Sequence, residues 1–208
     1  MCDMSTTTRS RLSAPERRRR ILSAAEQVFG ARGYHDASMG EIAIAAGITK
    51  PVLYDHFASK HELYVTLMDG ISRELTDRGA AAMAADASGE ARVRTAIEAF
   101  FAFVEERPEA ARVLLVTPFG ERELADDARR VQAGASARLA ALLAAEPSFL
   151  AAARDRERRL ELYVEFLKAG LHGLAEWWRE HPEAPRADLV DAAMGLTWEG
   201  LRAGFEGS

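Results

Sequence analysis

Cysteine occurs once in the 208 residues, at Cys2. No disulfide can form within the chain, and no cysteine metal site can be assembled. This suits a reducing compartment, and the expected location is the cytoplasm. Long apolar runs are missing as well. The stretch LAALLAA at 139–145 is far short of the roughly 20 residues that a membrane helix needs. The arginines near the N-terminus have no apolar run behind them, so neither a secretory signal nor a membrane partner is expected. Strand-like alternation and repeats of solenoid length are absent, and β-branched residues are sparse outside the apolar faces. No glycines are arranged as a phosphate loop, no histidine pair has metal-ligand spacing, and neither Ser-x-x-Lys nor Gly-x-Ser-x-Gly occurs. The expectation is therefore no cofactor, no metal and no enzyme.

What is present is helix-forming residues and unevenly placed charge. Hydrophobic content is 48% and charged content 28%, both ordinary for a globular chain able to bury a sizeable core. The net charge of −5 argues against nucleic acid only until its distribution is inspected. Residues 1–65 hold nine Lys/Arg against seven Asp/Glu, while the remainder holds 18 against 25. A small, mildly basic head on a larger acidic body follows, and four successive arginines, Arg17 to Arg20, lie in the head.

The expected fold is all-α with about nine helices. Residues 1–14 read as a disordered arm, 15–62 as a small helical head, and 63–208 as a larger helical body. Pro15 suits a first helical turn, Ile21, Ala25, Val28 and Phe29 recur at helical spacing, and Gly33 ends the first helix. Ser38 with Glu41 forms a capping box for a second, short helix that Gly47 stops. Thr49 is the N-cap candidate of a third, reaching about Phe57, with Pro51 tolerated in its first turn. Ser59 with Glu62 opens a long fourth helix. Further spans are expected at 88–106, 108–117, 120–145, 155–181 and 186–205, between breaks at Pro108, Pro118 to Gly120, Pro147, Pro182 and Pro185.

Two short helices joined by a tight glycine turn make a helix-turn-helix, with Ala43 small at the crossing and Ile42, Ile48 and Leu53 as anchors. The stretch SMGEIAIAAGITKPVLYDHFASKHELY, with ERRRRILSAAEQVFGARGYHDASM before it, resembles the DNA-binding segment of the TetR (tetracycline-repressor) family of bacterial regulators. The likeness covers about residues 15–65 and rests on Phe29, Gly33 and Tyr34, the Ala-Gly turn, and Leu-Tyr-x-His-Phe followed by Ser-Lys. Pro51 stands where many members have a small residue.

The resemblance places DNA contacts at matching positions. Thr49 and Lys50 can reach phosphate or base edges, and Pro51 and Val52 are the other candidates for reading bases. Tyr54 and His56 follow along the helix. Lys60 adds an ammonium at a helix start, and Ser38 a hydroxyl. Helical period lets only one or two of the four arginines face DNA, and Arg18 is the candidate. The plain alternatives are packing for Tyr54, solvation for His56 and His61, and simple surface charge for Lys60.

In the body, Leu160, Tyr163, Val164, Leu167, Leu171, Leu174 and Trp178 share one helical face. Leu162, Phe166, Gly170, Gly173 and Trp177 share another. Ala193, Thr197, Gly200 and Gly204 form a small-residue stripe on the last helix. A helix with two apolar faces needs two partners, and a homodimer through the second set is expected, as the resemblance also implies. Met83, Phe100, Phe103, Phe119, Tyr163 and Trp178 are the candidate lining of a pocket for a small apolar or aromatic effector. His172 falls on a polar stripe with Glu165, Lys168, Glu176 and Arg179, so it is expected to be solvated. The reading is thus an effector-released repressor binding a palindromic double-stranded DNA operator. The alternative is an all-α small-molecule-binding or enzymatic protein with a vestigial head, against which intact Thr49, Lys50, Tyr54 and Lys60 speak.

Overall fold

The computed structural model describes residues 13–84, 88–115, 122–145 and 154–206, apart from the side chains of 122, 123 and 199–206. Among the described residues there are nine helices and no strand: α1 (Ala14–Asp36), α2 (Met39–Ala45), α3 (Lys50–Tyr54), α4 (Lys60–Met83), α5 (Gly89–Glu106), α6 (Pro108–Leu115), α7 (Arg122–Ala144), α8 (Arg156–Glu180) and α9 (Arg186–Glu206). All the expected helices form, within a few residues of their expected ends.

Local chemistry accounts for the starts. Ser38 Oγ accepts from the Glu41 N–H at 3.2 Å, and the Ser38 N–H donates back to the Glu41 carboxylate at 3.0 Å. A second box, Ser13 with Glu16, caps α1. At Ser59 the hydroxyl accepts from the Glu62 N–H at 3.0 Å, but the Glu62 carboxylate takes the N–H of Ala58, at 2.7 Å, not that of Ser59. These pairs satisfy N–H groups that the helices leave without internal partners. Gly33 interrupts α1 three residues before its end, with φ 77° and ψ 172°.

Two apolar cores hold the helices. The first joins Ile21, Ala25, Phe29, Ile42, Leu53, Phe57 and Leu63 to Phe103, Ala110, Val113 and Leu124. It therefore runs from the head into α5, α6 and α7 without a break at residue 62. The second gathers Val93, Ile97, Phe100 and Phe101 with residues of α8 and α9, among them Leu160, Val164, Trp178, Leu189 and Met194.

The joint between head and body is close-packed. A Cβ on Gly30 of α1 would lie 2.4 Å from the Cβ of Glu109 on α6, so the two helices touch backbone to backbone. Phe29, Tyr34 and Tyr64 pack their rings together. The Tyr64 hydroxyl donates to the Val113 carbonyl at 3.2 Å, and burial, with Tyr34 beside it, pushes this phenol up to about 12. Arg107, at the α5–α6 corner, donates Nε and Nη2 to the Glu26 carboxylate at 3.3 and 2.5 Å and Nη1 to Glu74 of α4. Its hydrogen bond is the main cause holding the Glu74 carboxyl below the usual range. Arg107 is half-buried, and such charge-assisted contacts are stronger than neutral ones; they fasten α1, α4 and the α5–α6 corner together.

Candidate functional site

The turn between α2 and α3 is set by Gly47 at φ 63°, a left-handed conformation that glycine adopts without steric cost. The Ile48 N–H donates to the Ala43 carbonyl at 3.0 Å and the Gly47 N–H to Ile44 at 2.9 Å, the paired bonds of a Schellman stop. Above the turn a Cβ on Gly47 would lie 2.6 Å from Nη2 of Arg20. The turn is thus small because a guanidinium from α1 covers it. Ile42 and Leu53 are fully buried and Ile48 partly so, which fixes α3 on α2 and leaves its other side free.

That side carries Thr49, Lys50 and Pro51, all exposed, with Tyr54 at 44% exposure and Val52 half-buried. The Lys50 ammonium lies 6.0 Å from the centre of the Tyr54 ring. Thr49 flanks the helix in an extended conformation but makes no side-chain cap hydrogen bond. Pro51 removes one of the two N–H groups that a cap hydroxyl can reach. Regular helix ends at Tyr54, although the N–H groups of His56 and Phe57 still bond to Leu53.

The remaining head candidates are partly engaged within the fold. The Arg18 guanidinium stacks on Phe57 at 4.4 Å. The Ser38 hydroxyl donates to the Glu41 carboxylate at 2.9 Å. Lys60 Nζ donates to the His35 carbonyl at 3.0 Å and sits 4.5 Å above the Tyr34 ring, tying the start of α4 to the end of α1. His56 is half-buried. His61, expected to be solvated, contacts Asp127 of α7 at 2.6 Å, because α4 and α7 lie side by side. Arg20 was not among the expected contacts; its place depends on a tertiary neighbour, and sequence spacing carries no sign of it.

In the body, a cavity of about 150 Å³ lies between α4, α5, α7 and α8. Met83 and Phe100 line it as expected. Phe103 does not; it belongs to the first core under Arg78 and Arg107. Trp178 packs edge-on to Phe101 and donates its indole N–H to the Ala184 carbonyl at 2.8 Å, which turns it from the cavity. Tyr163 packs against the second core without lining the cavity, and Phe119 lies outside the described residues. The lining is mostly aliphatic, with Leu75, Ile97, Leu139, Leu143 and Leu167 prominent.

His172 departs from expectation. It is half-buried on the cavity wall, stacked on Phe100 at 6.0 Å and 13°. Burial, and then the nearby Lys168, lower its pKa to about 4. The polar stripe of α8 fails there because it turns inward against α5 and α7. Lys168 is on the same wall, its side chain only 13% exposed.

On the opposite face of α8, Leu162, Phe166, Gly170, Gly173 and Trp177 are all exposed, as their shared spacing implies, and Leu196 of α9 is exposed too. Ala193 departs from the expected interface: it is buried in the chain's own second core, where α9 packs on α5. Thr197 is half-buried and donates to the Ala193 carbonyl at 2.6 Å. The expected interface positions Gly200 and Gly204 lie beyond Trp198, outside the residues whose side chains are described.

The sequence pattern described as "Bacterial regulatory proteins, tetR family" matches residues 21–67, which span most of α1, all of α2 and α3 and the start of α4. The HTH-type transcriptional activator FasR of Mycolicibacterium smegmatis is 30% identical over 196 residues, covering 92% of this chain and 86% of that one. A TetR-like transcriptional regulator from Rhodococcus sp. RHA1 superposes with a TM-score of 0.71 at 27% identity, over 92% of this chain and 99% of that one. The transcriptional regulator FadR from Bacillus subtilis, solved in complex with stearoyl-CoA, shares the fold with a TM-score of 0.72 at 17% identity, over 86% and 96%. The helix-turn-helix is therefore one part of a likeness that runs through both cores, and the chain belongs to the tetR family of bacterial regulatory proteins: a DNA-binding transcriptional regulator, not an enzyme.

Proposed function

We propose that two copies pair through the exposed face of α8, present their α3 helices to successive major grooves of a pseudopalindromic operator, and leave it when an apolar ligand enters the cavity. One observation carries this reading. Helix α4 begins immediately after the recognition segment, and its Ser72, Leu75, Thr76, Gly79 and Met83 form one wall of the cavity. A ligand that spreads the cavity moves the rod on which the head is mounted. It shifts the population only as far as it prefers the released arrangement.

Leu162, Phe166, Trp177 and Leu196 make an exposed apolar patch of the kind that marks an association surface. A symmetric dimer fits the two half-sites that helix-turn-helix heads read. In each head Thr49, Lys50, Pro51 and Val52 face base edges. Tyr54, His56, Lys60, Ser38 and Arg18 hold phosphates, with Arg20 beside them over the turn. The stearoyl-CoA in the FadR structure supports an acyl-type ligand for the aliphatic cavity. Repression follows where the operator overlaps a promoter.

The test is fluorescence anisotropy with DNA from upstream of the chain's own gene, across a salt series. The expected result is a sequence-preferring complex that weakens with salt and is lost in Tyr54→Ala. Binding that ignores sequence, or that survives Tyr54→Ala undiminished, refutes the assignment of α3.

A further inference from the structure

The cavity has two chemically different ends. Nearer the head its wall carries Ser72, Gln132, Lys168 and His172. Away from the head the wall is Gly79, Met83, Val93 and Leu143, with Thr76 and Leu139 between the two ends. The order follows from packing. α4 and α7 run in parallel, since His61 meets Asp127 and Ser72 meets Arg138. α8 runs against α7, since Lys168 meets Gln132 while Arg156 meets Ala144. From Ser72 to Met83 is about 16 Å along α4, at 1.5 Å per residue. A volume of about 150 Å³ spread over that length is a slender channel.

The polar end is cationic. Lys168 Nζ donates to Ser136 Oγ at 2.5 Å, to the Gln132 carbonyl at 3.3 Å and to the Glu165 carboxylate at 3.3 Å. Glu165 is the one acid in this group, and its side chain is 61% exposed. Arg138 stands behind Ser72 and donates Nη2 to its hydroxyl at 3.1 Å. Its Nε is the one buried side-chain nitrogen or oxygen among the described residues without a hydrogen-bond partner. A buried donor left unmade costs free energy. Two cations against one solvated carboxylate leave the polar end short of negative charge, beside fourteen lining residues that are aliphatic, aromatic or glycine.

Resting on the reading that this cavity holds the effector, we infer that the effector is an amphiphile with one alkyl tail and a free carboxylate head. The head sits against Lys168 and the tail runs toward Met83 and Leu143. The carboxylate replaces the exposed Glu165 on Lys168 Nζ, in an environment drier than the surface, where a charge-assisted hydrogen bond counts for more. The Arg138 guanidinium adds positive potential from behind Ser72. His172, on the same wall, can offer the head a ring N–H. The occupied end is then the end nearest the head, where α4 is joined to α6 and α1.

The test is titration calorimetry of the full-length protein with decanoate, decanol, decyltrimethylammonium and decanoyl-CoA. The variants Lys168→Met and Lys168→Arg are titrated alongside. Decanoate binds about 10-fold more tightly than decanol, the equivalent of one charge-assisted contact. Lys168→Met removes that advantage, Lys168→Arg keeps it, and the ammonium amphiphile does not bind. The inference is overturned if decanol matches decanoate, if Lys168→Met leaves the preference intact, or if only decanoyl-CoA binds; each leaves the cavity as the effector site. If no member of the series binds, the effector-cavity reading falls, and this inference with it.

Discussion

The contact between Gly30 and Glu109 gives a sharp forecast for the joint between head and body. Substituting Gly30→Ala places a methyl carbon 2.4 Å from Glu109 Cβ, 2.6 Å from its Cα and 2.8 Å from its carbonyl oxygen. Carbon atoms rest about 3.5–4.0 Å apart, so α1 and α6 must separate by an ångström or more. Two of the three obstacles are backbone, which no rotamer change can clear. Overpacking of this kind costs roughly 1–3 kcal/mol. For a chain of this length each kcal/mol lowers Tm by about 2–4 °C, so a drop of about 4–8 °C is the central expectation. Gly70→Ala is the matched control. Gly70 is exposed within α4 and nothing lies within 4 Å of its added carbon, so the change raises stability by about 0.5–1 kcal/mol through helix propensity alone. Calorimetry at one fixed protein concentration compares the two, since association makes Tm concentration-dependent. If Gly30→Ala melts within about 1 °C of the parent, or if the two variants shift together, the backbone contact between α1 and α6 is refuted.

Three further outcomes follow from the same geometry. Lys50→Ala weakens the operator more than unrelated DNA, because its ammonium faces a base edge; an equal loss on both, with the slope of log K against log salt lowered by about one, assigns it to a phosphate instead. Phe166→Glu places a charge in the exposed face of α8, so sedimentation finds a monomer and operator affinity collapses; a dimer of unchanged affinity locates the interface elsewhere. Burial holds His172 at about 4 against an ordinary 6.5, so between those values the unfolded chain binds a proton that the folded chain does not. Stability is therefore full above pH 6.5 and falls as the pH drops through that window, by about 2 kcal/mol at pH 5. His172→Gln flattens that part of the curve, and an unchanged slope in the variant locates the titration in other groups.

The head was legible because its signals are local. A serine three residues before a glutamate, a glycine past a short apolar run and a proline in a first turn each act within a few residues. The two faces of α8 were legible for the same reason, since Leu162 and Phe166 part from Val164 and Leu167 by helical geometry alone. The cavity was not. Phe103 and Trp178 are as apolar as Phe100, and only the packing of α5 against its neighbours decides which ring faces the empty space. His172 and Lys168 looked solvated because their own helix surrounds them with charge; Phe100 and α7, distant in sequence, enclose them. Ala193 was misplaced because a small residue permits close approach to any helix, and the helix it meets is α5.

Helix α4 is 24 residues long, about 36 Å from end to end, and both proposed binding events bear on it. Equilibrium coupling through such a rod has no direction. If ligand in the cavity lowers affinity for the operator by some factor, operator DNA lowers affinity for the ligand by that factor. Calorimetric titrations of the free protein therefore overstate how tightly the DNA-bound regulator holds its effector. The concentration at which a promoter responds therefore lies above the free protein's own dissociation constant, and it rises with the strength of each operator.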